Sequence, residues 1–242
     1  MCRLFAIISK EKTDAKYWFF DAEIPFRDFS KKIINLGPHN SGWGIGWFDR
    51  KWKIFKDGKE SVNKYDFNKI KEIKSNLILI HLRHASIGDS TTKNAHPFLY
   101  EDWIFEHNGG IDSKELINYL STDIKNQLTS ETDSEVFFFL IMQYLKETGE
   151  ISKAIKKTIE IVKKYPYRGL NFILSNGKEL YVFRNVSPEC KDKIEYYCLH
   201  YLIQENKIII SSDPLTKDNW IPIRLGELLE ISTNLKIKKI KL

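Results

Sequence analysis

Several short stretches of this 242-residue chain carry side chains that could do chemistry. Cys2 follows Met1 and leads straight into the apolar run LFAII. Cysteine is small enough for Met1 to be trimmed away, and the trimmed chain would carry a thiol and a free α-amine on one residue. The alternative is a small buried residue near a chain end, because unpaired cysteine is among the most buried residue types and is reactive only in particular surroundings. Arg83 stands at the end of NLILIHLRH, where the chain leaves a strand. There it can present a fixed fork of donors to a carboxylate, or it can make a structural ion pair, which contributes little at a surface. In FEHNGGI, Asn108-Gly109 read alone is a hairpin turn. The segment that follows, however, reads as a capped helix rather than a returning strand. An amide side chain and a backbone N–H at a strand end can then converge on one point, as an oxyanion requires. Asp133, in ETDSE, either complements the dipole of a helix start or offers a carboxylate to a ligand's ammonium.

Two other patterns carry less. His81, His84, His96 and His107 have no recognised metal-ligand spacing. On a strand, His81 and His84 would point to opposite faces, so neither a metal nor another cofactor is expected. The glycines of GWGIG are spaced G-x-G-x-G within a strand, unlike the dinucleotide fingerprint that opens a helix. They read instead as a strand face that something approaches closely.

The elements that must position these residues follow from periodicity. Residues 2–9 read as a buried strand, GWGIGWF and KWKIFK as a hairpin, YDFNKIKEI as a short helix, and NLILIHLRH and DWIFEHN as strands. DSKELINYL and TDSEVFFFLIMQYLKE each open on a capping box, Asp112 with Glu115 and Thr132 with Glu135, and a further helix covers residues 150–164. GLNFILSN, ELYVFRN, EYYCLHYLIQ, KIIISS and ELLEIS read as strands, the first two joined at Asn176-Gly177. Strands, then helices, then strands, with few parallel crossovers, indicate a layered α+β protein, a single domain over 1–242. The hydrophobic fraction of 42% and charged fraction of 29% are those of a folded chain. The net charge of +6 comes from lysines scattered among isoleucines, so nucleic-acid binding is not expected. Three cysteines form no disulfide framework, charges interrupt the N-terminal apolar run, and the longest apolar stretches are too short to span a bilayer. A cytoplasmic protein with no membrane association is expected.

The order of these pieces is more specific than any one of them. Cys2, then RHASIG from Arg83, NAHP from Asn94, HNG from His107 and TDSE from Thr132 resemble the class II glutamine amidotransferases, which are N-terminal nucleophile hydrolases. CRLFAI with GWGIGW, and IIISSDPLTKDNW with IRLGELLEI, look like the small stand-alone branch, so the likeness extends over the whole chain. The resemblance implies a four-layer αββα sandwich, two mostly antiparallel sheets between helices. It implies Cys2 as nucleophile after Met1 removal, with its own α-amine as general base, directly or through one water. An α-amine titrates near ~7.7–8.0 against ~8.5 for a thiol, so it is poised to take the thiol proton. By the same resemblance, the Asn108 side chain and Gly109 N–H form the oxyanion hole. Arg83 binds the α-carboxylate of glutamine, Asp133 its α-ammonium, and Ser86 helps shape the pocket. Attack on the side-chain amide would release ammonia and leave a γ-glutamyl thioester for water to hydrolyse. Where large synthase members tend to read R-W-A-T-H-G, this chain has His84, Ser86 and Ile87. It leaves no room for a synthase domain, so an ammonia acceptor would bind a separate protein.

Three readings follow. The first is a glutaminase or amidotransferase supplying ammonia to a partner. The second is a γ-glutamyl amidohydrolase acting on a γ-glutamyl peptide or amide, since this branch includes hydrolases of glutathione degradation and ergothioneine synthesis. The third is a non-catalytic ligand-binding module, which would retain Met1 and so have no free amine on Cys2. No oligomeric state is legible.

Overall fold

A computed structural model describes residues 2–30, 41–58, 66–85 and 88–242. The opening apolar run becomes β1 (Arg3–Thr13). The next two runs become β2 (Trp43–Asp49) and β3 (Lys51–Asp57), joined at Arg50, which takes the left-handed region at φ 61°. The short helix expected next is a 3₁₀ turn, Phe67–Glu72, capped by Asp66, and it leads into β4 (Ser75–Leu82). A short β5 (Phe98–Tyr100) then pairs with β6 (Trp103–Ile111). Asn108-Gly109 lies within β6, so it is no hairpin turn.

Four helices follow: α1 (Ser113–Leu116), α2 (Thr122–Lys125), α3 (Asp133–Thr148) and α4 (Ile151–Val162). The capping signals mark the helix starts correctly but form only half of each box. Thr132 accepts the Glu135 N–H, while the Glu135 carboxylate takes the N–H groups of Thr129 and Ser130. Asp112 accepts from Lys114, and the helix it opens lasts one turn. Gly149, at φ 68°, ends α3 in the left-handed conformation that glycine favours.

The remaining strands are β7 (Tyr167–Ser175), β8 (Glu179–Arg184), β9 (His200–Gln204), β10 (Lys207–Ser211), β11 (Ile221–Pro222), β12 (Glu227–Ser232) and β13 (Ile237–Lys241). One expectation is corrected here. The first three residues of EYYCLHYLIQ belong to a 3₁₀ segment, Pro188–Tyr197, and only its second half is strand. The Ser187 cap and the Pro188 start favour a helical turn over the aromatic strand pattern.

All strand pairs are antiparallel. One sheet runs β11-β9-β10-β1-β4-β2-β3 and the other β13-β12-β8-β7-β6-β5. Leu4, Ala6, Ile8, Leu77 and Leu79 of the first face Ile104, Ile173, Val182 and Leu229 of the second in one apolar layer. α3 and α4 cover the outer face of the second sheet, where Phe137 and Phe138 pack on Phe105 and Phe172. Each such fully buried ring contributes about 1.5–3 kcal/mol. The outer face of the first sheet is covered by the turns Tyr17–Asp21, Phe26–Ser30 and Phe67–Glu72. This is the layered α+β arrangement that the element order predicted. The glycine face of β2 also behaves as read: a Cβ on Gly44 would lie 2.2 Å from the His96 carbonyl oxygen, and one on Gly46 2.2 Å from Ile104 Cδ1.

Candidate active site

Cys2 precedes β1, and because Arg3 pairs with Leu82, Cys2 comes level with Arg83 at the end of β4. Its thiol donates to the His84 carbonyl at 3.7 Å. Two contacts pin the backbone here. Arg3 is buried, pairs with Asp213 at 3.0 Å and donates to the Cys2 carbonyl at 3.3 Å. Ser212 exchanges two bonds with Leu4, its hydroxyl accepting the Leu4 N–H at 2.9 Å and its own N–H donating to the Leu4 carbonyl at 3.0 Å.

β6 supplies the opposite wall. Its inward side chains are Ile104, Glu106 and Asn108, since Ile104 joins the apolar layer between the sheets and alternation fixes the rest. Asn108 Nδ2 donates to the Tyr196 carbonyl at 3.3 Å, which fixes the amide orientation and leaves its second N–H unspent. The direction of the Gly109 N–H follows from the ladder. Leu170, its partner on β7, donates instead to Asn185 at 2.9 Å, so Gly109 and Leu170 are a non-hydrogen-bonded pair. The Gly109 N–H therefore points to the other edge of β6, which β5 pairs only as far as Phe105. On that same edge the His107 carbonyl accepts from His81 Nε2 at 3.1 Å, and the Ile111 N–H donates to Asp133 Oδ2 at 2.7 Å. The Gly109 donor thus sits between His81 and Asp133.

Arg83 and Asp133 come from different loops, and Asn94 ties those loops together. The guanidinium of Arg83 is buried and donates to the carbonyls of Ser41 at 3.1 Å, Asp89 at 2.9 Å and Gly88 at 3.1 Å. Asn94, also buried, donates to Asp89 O at 3.1 Å and accepts from the Glu131 N–H at 3.0 Å. Asp133 follows directly, in the first turn of α3.

The surrounding polar groups are deeply buried. His107 faces the helices, where its Nδ1 meets the Ser134 hydroxyl at 2.9 Å and its Nε2 donates to Gly169 O at 3.2 Å; burial keeps it neutral. His81 and His96 stack at 4.1 Å, and burial drives His81 down to about 3 and His96 well below its ordinary value. The Tyr197 phenol is pushed up to about 12 by burial, and it responds to charge on Arg168, Cys190 and Cys2.

The structure therefore brings Asn108 to the Tyr196 carbonyl, sets Cys2 level with Arg83 and joins the loops of Arg83 and Asp133 through Asn94. Ser86 lies outside the described residues, as does Met1. Arg3, Asp213, Asn94, Glu106 and Tyr197 had no role assigned from sequence. Two of them left a signal: Arg3 and Glu106 are charges inside otherwise apolar strands. Among the described residues, no three His, Cys, Asp or Glu side chains converge to hold a metal, and no helix is long and apolar enough to cross a membrane.

Comparison with known proteins identifies the family and the fold. A family model described as "Glutamine amidotransferases class-II" matches residues 1–237. A Haemophilus influenzae protein with the provisional name glutamine amidotransferase is 28% identical, over 99% of this chain and 87% of its own length. Among solved structures, a glutamine aminotransferase class-II domain protein from Silicibacter pomeroyi superposes with a TM-score of 0.69 at 20% identity, covering 100% of this chain and 98% of that one. The glutamine phosphoribosylpyrophosphate amidotransferase of Bacillus subtilis does so at 0.69 and 17% identity, covering 99% of this chain and 49% of its own.

Proposed function

The chain belongs to the class II glutamine amidotransferases, and from that premise we propose that it hydrolyses the side-chain amide of glutamine at Cys2, releasing glutamate and ammonia. Removal of Met1 exposes the α-amine, which takes the thiol proton as Sγ attacks the γ-carbonyl carbon. The oxyanion is met by the second Asn108 N–H and by the Gly109 N–H. Two such donors matter, because removing one typically costs about 2.7–4 kcal/mol of transition-state stabilisation. The ammonium on Cys2 then protonates the departing nitrogen, ammonia leaves and a γ-glutamyl thioester remains. The amine next deprotonates water, which attacks the thioester and regenerates the thiol. Arg83 reads the α-carboxylate and Asp133 the α-ammonium, with Ser86, three residues after Arg83 in sequence, helping to shape the pocket.

The observation that carries this reading is the contact between the two sheets beside Cys2. His81, the register partner of Leu4, reaches the His107 carbonyl next to Asn108, and Asn108 is in turn oriented by the Tyr196 carbonyl. The test is exposure of the purified chain to a glutamine-analogue diazoketone, followed by intact and peptide masses. One adduct, on a peptide beginning at Cys2, supports the reading. No adduct on a chain shown to begin at Cys2 overturns it in favour of γ-glutamyl peptides or a binding role, which a panel of γ-glutamyl compounds would separate.

A further inference from the structure

Glu106 is fully buried, and neither carboxylate oxygen has a hydrogen-bond partner among the described residues. An isolated buried carboxylate is strongly disfavoured, and burial raises its proton affinity well above the ordinary range, so it stands as a neutral acid. A leucine or methionine of similar volume would be the better occupant of a purely structural position, as Ile104 is on the same face two residues earlier.

Its surroundings point to the nucleophile. Glu106 lies between Ile104 and Asn108 on the inward face of β6, one pleat below the oxyanion donor. From the opposite sheet, His81 reaches the His107 carbonyl at 3.1 Å, and His81 is the register partner of Leu4 on β1. Cys2 is the next inward residue on that strand. The carboxyl group also feels the Phe5 backbone, short of a hydrogen bond, and the charge of the Cys2 thiolate raises its proton affinity further. The titratable groups packed around this layer are Cys2 from the β1 side, His81 from β4 and His96 from the segment before β5. Both imidazoles are held neutral, and Nδ1 of His81 and both ring nitrogens of His96 also have no partner among the described residues. Arg83 at the end of β4, His107 on β6 and Lys56 on β3 also act on these imidazoles by charge. Neither imidazole competes with Glu106 as a charged neighbour.

We propose that Glu106 is a positioning residue for Cys2: a carboxylic acid kept beneath the thiol, whose O–H is turned toward the negative charge that forms on Sγ. The inference rests on Cys2 acting as nucleophile. Coupling runs both ways. While protonated, Glu106 eases thiolate formation; once ionised, it opposes it.

The experiment uses the full chain, shown by intact mass to begin at Cys2. Iodoacetamide alkylation of Cys2 is followed by peptide mass from about pH 6 to about pH 10, the span of the thiol and amine titrations. The unsubstituted enzyme should lag at high pH below the profile that the thiol and amine alone would give. Glu106→Met should alkylate about tenfold more slowly at neutral pH, with its midpoint raised by about one unit. Glu106→Gln, which keeps a donor but cannot ionise, should lose the lag at high pH and leave only the thiol and amine steps. A Glu106→Met profile that overlays the unsubstituted one, with only melting temperature changed, overturns the proposal. Should Glu106→Met fail to fold, Glu106→Gln decides alone, and an unchanged profile overturns the proposal. Because iodoacetamide reads the thiol without glutamine, a lack of glutaminase activity would count against the proposed function and not against this coupling.

Discussion

The side-chain carbonyl of Asn94 accepts the backbone N–H of Glu131 at 3.0 Å, across 37 residues of sequence. With the amide of the same side chain on Asp89 O, this one buried residue sets the spacing between the loop that holds Arg83 and the turn that presents Asp133. The exposed Lys93–Glu131 pair at 2.6 Å spans the same junction, but an exposed pair of this kind contributes at most about 1 kcal/mol.

Asn94→Ala should therefore loosen the clamp rather than the chemistry. The KM for glutamine should rise about tenfold with kcat changed less, and losing two buried hydrogen bonds should cost about 1–3 kcal/mol of stability. Steady-state kinetics with thermal melts would check this. A fall in kcat at unchanged KM would contradict the role.

Asn108→Ala should act the other way. Removing one oxyanion donor lowers kcat by about 10²–10³-fold while KM stays within a few-fold, since the clamp residues are untouched. A burst assay for the thioester with an activated γ-glutamyl ester would place the loss in the acylation step.

Acid should destabilise the fold through its buried imidazoles. His81 titrates near 6.5 when unfolded and at about 3 when folded, and His96 and His107 are lowered in the same direction, all chiefly by burial. Between those values only the unfolded chain takes up the proton. Their contribution is thus complete above about pH 6.5 and is lost as the pH falls. Glu106 works in the opposite sense, its contribution fading as the pH rises through its elevated value. Calorimetric melting should show Tm falling from neutral pH toward pH 5.5, with a shallower fall for His96→Phe. An equal slope in that variant would remove His96 from the explanation.

Two glycines of β2 provide a graded test of packing. A Cβ at Gly44 meets backbone, the His96 carbonyl, whereas a Cβ at Gly46 meets the mobile end of Ile104, each at 2.2 Å. Gly44→Ala should lower Tm by several degrees more than Gly46→Ala, because a side-chain end can turn aside and a paired backbone cannot. On the scale of about 2–4 °C per kcal/mol for a chain of this size, differential scanning calorimetry resolves the two.

Much of this was legible in local sequence. Asn108 and Gly109 stood out because a capped helix, not a strand, follows them, and the glycine face of β2 announced a close approach. What could not be read was set by distant partners. The outward direction of the Gly109 N–H depends on where β5 stops, at Phe105, and β5 is only three residues long. The carbonyl that orients Asn108 comes from Tyr196, in a segment whose aromatic pattern reads as strand until the Ser187-Pro188 start overrides it. Glu106 left a trace as a charge inside an apolar run, but a single charge carries no periodicity of its own and does not say what it faces.

The 3₁₀ segment Pro188–Tyr197 has a consequence for how this protein could be divided. Its last two carbonyls receive Asn108 at 3.3 Å, Asn171 at 2.8 Å and Arg184 at 2.8 Å. The residues that spell out the chemistry all fall before position 134, yet the aim of the amide among them is held from beyond position 190. A fragment ending after α4 would keep every letter of the motif and lose its orientation. Exchanging this ten-residue segment with a relative's would alter the alignment of the oxyanion site without changing any residue that a motif search inspects.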